Sequence, residues 1–305
     1  MVNYIASNDL VNKLQVTVGS VDRYDLESIA NETLLCNEAV VSIEHKNDLL
    51  INNQKGYQTI GTGKNLVLIH GWGVNHNIWL PIVDQLSQHY CVHLVDLPGF
   101  GEQSELTDYS LASIAETLLG KLPKNAVWCG WSLGGLIATY VAYHFPDRVE
   151  KLIQVCASLK FVEQGQWSGV KKEVFEAFKL GVTKQPQKTL NRFLSLQSMG
   201  SDSVKTDIAT IKNLLVDQPD PKQSALIAGL DLLNEVDLRT EFCELILPCL
   251  SIFGEKDNLV PVANVATLFE LNPSNQQVVF KKSAHAPFIS EPDLFKDILI
   301  DFIER

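Results

Sequence analysis

Residues 126–145 read AVWCGWSLGGLIATYVAYHF, and the fold turns on this stretch. The run from Ala126 to Cys129 is apolar without alternation, the pattern of a strand buried on both faces. Gly130-Trp131-Ser132-Leu133-Gly134 matches G-x-S-x-G, and the residues after it carry apolar side chains at helical spacing. A chain that passes from strand to helix within one residue strains the backbone at the serine. Glycines on either side remove the Cβ atoms that would collide. The turn lifts the Ser132 hydroxyl out of the sheet edge, so Ser132 is the candidate nucleophile. The bland alternative is a glycine-rich packing turn.

Other short apolar runs have the same character: LVLIH (66–70), VHLVD (92–96), KLIQVCA (151–157), PCLSIFG (248–254) and QVVF (277–280). Helix-like segments separate them at 78–89, 110–121, 133–145, 261–271 and 292–304. This alternation predicts an α/β fold with a mostly parallel central sheet flanked by helices. The rhythm stops near Ser158 and resumes near Leu247. The stretch 158–244 reads as helical and, inserted after a strand, makes a natural lid. Residues 56–157 and 245–305 then form the core. Residues 1–55 are polar and weakly patterned, and read as an N-terminal extension, disordered or loosely docked.

A serine at its ordinary pKa needs a base and a group that orients the base. In hydrolases with this elbow the acid and then the histidine follow the serine. Two histidines follow Ser132. His144 ends the helix after the elbow, whereas His285, in KSAHAPF, lies in a loop beyond the last strand, where a base has to be. The acid should follow the penultimate strand, and CLSIFGEKDNLVP places Asp257 there, with Glu255 and Asp231 as competitors. His70-Gly71-Trp72-Gly73 follows the strand LVLIH. The backbone N–H groups of Trp72 and Leu133 are the expected oxyanion donors. His70 and Asp96 read as loop-organising residues.

Composition excludes several classes. The chain has 305 residues with 46% hydrophobic and 20% charged, the balance of a globular protein. A net charge of −11 disfavours nucleic-acid binding. The six cysteines, Cys36, Cys91, Cys129, Cys156, Cys243 and Cys249, show no paired or metal-ligand spacing, which predicts reduced thiols and no metal. With neither a signal-like N-terminus nor a membrane-length apolar run, the expectation is a cytoplasmic protein with no membrane association.

Together LVLIHGWGVNHNIW, HLVDLPGFG, WCGWSLGGL, RFLSLQSMG, GEKDNLVP and KSAHAPFISEP resemble the α/β-hydrolase superfamily and, within it, the pimeloyl-[acyl-carrier protein] methyl ester esterases of biotin synthesis. The resemblance covers roughly residues 57–305. It implies an α/β-hydrolase fold and a serine carboxylesterase that splits the methyl ester of pimeloyl-carrier protein into pimeloyl-carrier protein and methanol. It also implies a monomer without metal or cofactor. By position and resemblance Trp72, Leu133 and Phe193 contact the acyl chain, with Trp131 a further possibility. The family's lid arginines, which hold the acidic carrier protein, correspond here to Lys188, Arg192 and Lys205. A fourth falls on Ala209, which departs from the pattern and shifts weight to Lys212.

The charge distribution points to the same partner. Residues 160–214 carry a net +4, leaving −15 on the remainder, so a basic lid would steer an acidic protein to the site. Two rivals stand beside this reading. One is a general short-chain carboxylesterase or carbon–carbon bond hydrolase with the same triad, and the other is a non-catalytic binding protein on the hydrolase fold.

Overall fold

The computed structural model describes residues 50–305. Most of the expected N-terminal extension, with Cys36, lies outside these residues. Its last part does not: Leu50–Gln54 is a strand of the main sheet, so the sheet begins before the expected boundary at residue 56.

Eight strands form one sheet: β1 (Leu50–Gln54), β2 (Tyr57–Ile60), β3 (Lys64–Ile69), β4 (Tyr90–Val95), β5 (Ala126–Trp131), β6 (Val149–Val155), β7 (Cys249–Gly254) and β8 (Gln276–Phe280). Their spatial order is β1-β2-β4-β3-β5-β6-β7-β8. The pairs β1–β2 and β2–β4 are antiparallel, and all others are parallel. The six apolar runs of the sequence are β3 to β8. β3 sits between β4 and β5, so the loops leaving β3 and β5 diverge from one switch point, where open α/β sheets build their sites.

Helices cover both faces. On one side lie α1 (Leu80–Leu86) and, at the end of the chain, the helix Pro292–Glu304. On the other lie α2 (Leu111–Leu119) and α3 (Leu133–His144). The pleat divides β5 between two cores. Ala126 and Trp128 face one side, and Val127, Cys129 and Trp131 face the other, all fully buried. α2 starts at Ser110, whose hydroxyl accepts the Ser113 N–H at 3.2 Å and caps an otherwise unpaired donor.

Between β6 and β7 run α4 (Lys172–Lys184), α5 (Pro186–Leu196), α6 (Val204–Leu215), α7 (Gln223–Glu235) and α8 (Arg239–Cys243). Pro186, which lacks an N–H and presets helical φ, stops α4 and starts α5. Leu190, Phe193 and Leu194 recur at three and four residues, so one face of α5 is buried and the other is left to charged groups. After β7 come α9 (Val265–Leu271), α10 (Pro287–Ser290) and α11 (Pro292–Glu304). Among the described residues no helix is long and apolar enough to cross a membrane.

Candidate active site

Ser132 stands at the end of β5 with φ 54° and ψ −117°, a strained conformation for a residue with a side chain. The strain is held by the Ser132 N–H, which donates to the Val155 carbonyl at 2.9 Å, and by the Ser132 carbonyl, which accepts from Gly135. A Cβ on Gly130 would sit 2.2 Å from the Gly134 carbonyl oxygen, so only glycine allows the chain to fold back this tightly. The loop after β3 packs on the elbow. A Cβ on Gly71 would lie 3.2 Å from that of Ser132.

The acid and the histidine meet at the carboxyl ends of β7 and β8. His285 Nδ1 and Asp257 Oδ2 are 2.7 Å apart, with both side chains buried. Asp257 Oδ1 accepts the N–H groups of Leu259, at 2.8 Å, and Val260, at 3.0 Å. One oxygen is thus spent fixing the carboxylate and the other meets the imidazole. His285 Nε2 is buried and hydrogen-bonds to no group among the described residues. The competitors lie elsewhere: Glu255 is exposed, Asp231 pairs with Lys179, and His144 is an exposed helix end against Tyr140 and Tyr143.

Trp131 does not join an acyl-binding surface. It faces the opposite core, is fully buried, and its indole N–H donates to the His285 carbonyl at 2.7 Å. It joins the residue before Ser132 to the histidine loop. Cys156, with φ 43°, lies beside the pair, and its sulfur is within 4.8 Å of ligand atoms of Asp257 and His285. A metal could use such a spacing. Burial first, and then the Asp257 charge, push the thiol pKa well up and keep it protonated, and Asp257 is already engaged with His285. The donor set therefore fits a hydrogen-bonded acid–histidine pair, not a metal centre.

His70 organises the loop that carries Trp72. Burial lowers its pKa to about 4, so the ring is neutral near pH 7. Its Nε2 accepts the Leu97 N–H at 2.9 Å, which places the proton on Nδ1, and Nδ1 donates to the Gly71 carbonyl at 2.7 Å. With that carbonyl held, the next N–H, that of Trp72, donates to no group among the described residues. Leu133 opens α3, where the first N–H groups of a helix lack partners. Asp96 is buried; burial raises its pKa, but hydrogen bonds and charge from His76, with His70, hold it below the ordinary value. Its carboxylate accepts from the His76 backbone, His76 Nδ1 and the Glu102 backbone, anchoring two loops.

Helices between β6 and β7 pack on Trp72. Its ring meets Phe193 of α5 edge-on at 4.9 Å and Phe178 of α4 at 5.5 Å, and its indole N–H donates to Leu226 of α7 at 2.8 Å. A Cβ on Gly229 would lie 2.7 Å from Trp72 and 3.3 Å from Leu133. Trp72, Leu133 and Phe193 therefore come together. Phe178 and Gly229 complete the cluster, and the sequence marks only one of them, as a glycine inside a helical pattern. Lys188 and Arg192 on α5, and Lys205, Ala209 and Lys212 on α6, are exposed. The four cations make no ion pair among the described residues.

Residues 64–292 match the model of a family described as alpha/beta hydrolase fold. The chain is 43% identical over 249 residues to the pimeloyl-[acyl-carrier protein] methyl ester esterase of Vibrio cholerae, covering 82% of this chain and 98% of the relative. It is 44% identical over 251 residues to that of Pseudoalteromonas atlantica, covering 81% and 96%. Among solved structures, an esterase from Exiguobacterium antarcticum superposes with a TM-score of 0.73 at 25% identity, over 82% of this chain and 95% of that one. An enol-lactonase from Burkholderia xenovorans superposes with a TM-score of 0.72 at 21% identity, over 82% and 96%.

Proposed function

This chain belongs to the α/β-hydrolase family and, within it, to the pimeloyl-[acyl-carrier protein] methyl ester esterases, and on that premise we propose that it hydrolyses the methyl ester of pimeloyl-carrier protein in biotin synthesis. The observation that carries the reading is the buried pairing of His285 with Asp257 at the sheet edge that also holds the strained Ser132.

In this reading the Ser132 hydroxyl oxygen attacks the ester carbonyl and His285 Nε2 takes its proton. Asp257 holds the proton of Nδ1 and steadies the imidazolium that forms. The N–H groups of Trp72 and Leu133 receive the negative charge that develops on the carbonyl oxygen. As the tetrahedral intermediate collapses, the bond to the methoxy group breaks and His285 returns the proton, releasing methanol. Water, deprotonated by the same nitrogen, then attacks the acyl-serine; the bond to the Ser132 oxygen breaks, His285 returns the proton to that oxygen, and the acid is freed. None of these steps calls on a metal or cofactor.

The apolar cluster of Trp72, Leu133, Phe193 and Phe178 suits a methylene chain, which gains by leaving water and offers no polar handle. Lys188, Arg192 and Lys205 are assigned to the acidic carrier protein, with Lys212 on the same face of α6. Two are lysines, which hold phosphate as point charges and not as planar forks. The enzyme acts in the cytoplasm as a monomer, with residues 158–244 as its lid.

The test is methanol release from methyl pimeloyl-carrier protein by the wild type and by Ser132→Ala, with dimethyl pimelate alongside. Turnover of the carrier-bound ester, abolished in the variant, is expected. Turnover of the small ester alone would keep the triad and overturn the carrier assignment.

A further inference from the structure

The stretch RFLSLQSMG ends α5 and leads into the turn before α6, and this turn is hydrogen-bonded to both catalytic loops. The Gln197 carbonyl accepts the His285 N–H at 3.0 Å. The Met199 carbonyl accepts from Asn258 Nδ2 at 3.2 Å, one residue from Asp257. The Asp202 N–H donates to the Lys282 carbonyl at 3.0 Å, and its carboxylate pairs with Lys256. Gly200, at φ 103°, makes the approach possible, since a Cβ there would come within 3.0 Å of the Lys256 carbonyl oxygen.

At the far side of the turn Asp207, in the first turn of α6, is buried. Its carboxylate accepts three hydroxyls: Ser201 at 2.6 Å, Ser203 at 2.8 Å and Ser290 at 2.7 Å. Ser201 and Ser203 belong to the turn itself. Ser290 ends α10, the short helix that begins two residues after His285, and its N–H donates to the Ala286 carbonyl at 3.1 Å. No cation lies within ion-pair reach of Asp207 among the described residues. A buried carboxylate without a cation is a costly means of holding two helices together, since apolar packing would do so with no desolvation penalty. What it adds is direction: short hydroxyl–carboxylate bonds set the turn and α10 in one register.

We propose that the α5–α6 turn is a positioning element for His285, with Asp207 and Ser290 its positioning residues. Asp207 holds α10, and α10 with the Gln197 carbonyl holds the His285 backbone, so that the imidazole stays square to Asp257 and open to Ser132. This half of the lid is then a fixed wall of the active site, and α5 and α6, which carry Lys188, Arg192 and Lys205, meet at the element that seats the base. The inference rests on the reading of His285 as that base.

The experiment compares Asp207→Asn, Ser290→Ala, Ser290→Thr and His285→Ala in the full chain on a small p-nitrophenyl ester. It records kcat, KM, thermal midpoint and the low-field proton resonance of the His285–Asp257 hydrogen bond. Asp207→Asn and Ser290→Ala should each lower kcat about tenfold with KM nearly unchanged and weaken that resonance, as the loss of one hydrogen bond to a charged group allows. Ser290→Thr, which keeps the hydroxyl, should restore both. The double variant should fall little below the worse single one, because the two residues act through one link. Folded Asp207→Asn and Ser290→Ala proteins with wild-type kcat and resonance would overturn the proposal. If Asp207→Asn does not fold, Ser290→Ala decides alone, since it removes one hydroxyl from a helix end. Activity remaining in His285→Ala would instead overturn the assignment of the base.

Discussion

Asp257 meets His285 with one carboxylate oxygen, 2.7 Å from Nδ1, while the other oxygen is tied to the N–H groups of Leu259 and Val260. The acid is therefore oriented by its own loop before it orients the imidazole. Asp257→Asn keeps the shape but offers an amide in place of a carboxylate, so the ring loses its reason to hold the proton on Nδ1. A fall in kcat of about 10⁴-fold on any ester is expected, with residual activity from the oxyanion donors. Steady-state kinetics on a chromogenic ester would check it.

The role proposed for Lys188, Arg192 and Lys205 is substrate capture and not chemistry. Replacing Lys188, Arg192 and Lys205 together by glutamine should raise KM for the carrier-bound ester about tenfold or more and flatten its salt dependence. Turnover of dimethyl pimelate should stay at the wild-type level, because these side chains are exposed. Kinetics at two ionic strengths separate the two effects.

Gly229 is a position where one methyl group should matter. A Cβ there meets Trp72 at 2.7 Å and Leu133 at 3.3 Å, and both neighbours are buried. Gly229→Ala forces Trp72 and Leu133 to shift, at about 1–3 kcal/mol of strain. KM for the pimeloyl ester should rise more than KM for an acetyl ester, since the longer chain uses more of the cluster.

Two buried histidines make the protein sensitive to acid. Burial lowers the pKa of His70 to about 4, and that of His93 to about 4. In the unfolded chain each takes up its proton near pH 6.5, so protonation favours unfolding. Their contribution is full above about pH 6.5 and is lost as pH falls toward about 4, by about 3 kcal/mol for the fully enclosed His70 and by less for His93, where solvent screens the charge. Urea midpoints across this range should fall, and His93→Gln should reduce the slope.

Thiol reactivity should follow burial. Cys129, Cys156 and Cys249 are buried, and burial raises the pKa of each, whereas Cys243 is exposed. Iodoacetamide applied to the native protein should label Cys243 and spare Cys129, Cys156 and Cys249, as peptide mapping would read. Urea should expose them all.

Strands β3 to β7 are legible because each is buried on both faces through most of its length and so reads as an apolar run, and β8, at the sheet edge and only partly buried, shows through the run QVVF. β1 and β2 are not, because an antiparallel edge needs no such run: LINNQ and YQTI carry polar residues. The same pleat explains Trp131. Its place beside Ser132 at the elbow makes it a candidate for the acyl site by sequence alone. Strand parity turns it to the opposite core, where it holds the His285 carbonyl.

Within the site, Ser132 is written in a five-residue pattern because the constraint on it is local: the strained turn needs glycine two residues before and two residues after the serine, where a Cβ would meet backbone. The order of serine, acid and histidine is also linear information, since each follows a strand whose place in the sheet the apolar runs announce. Which carboxylate pairs with His285 is a matter of packing. Glu255 and Asp257 are two residues apart, and the N–H groups that select Asp257 exist only once the loop has closed around it. The link from Asp207 to Ser290 spans 83 residues, and Trp72 to Leu226 spans 154. Contacts at such separation leave no period or spacing in a single sequence, because they arise from the sheet order and from how the helices between β6 and β7 pack on the sheet's edge loops.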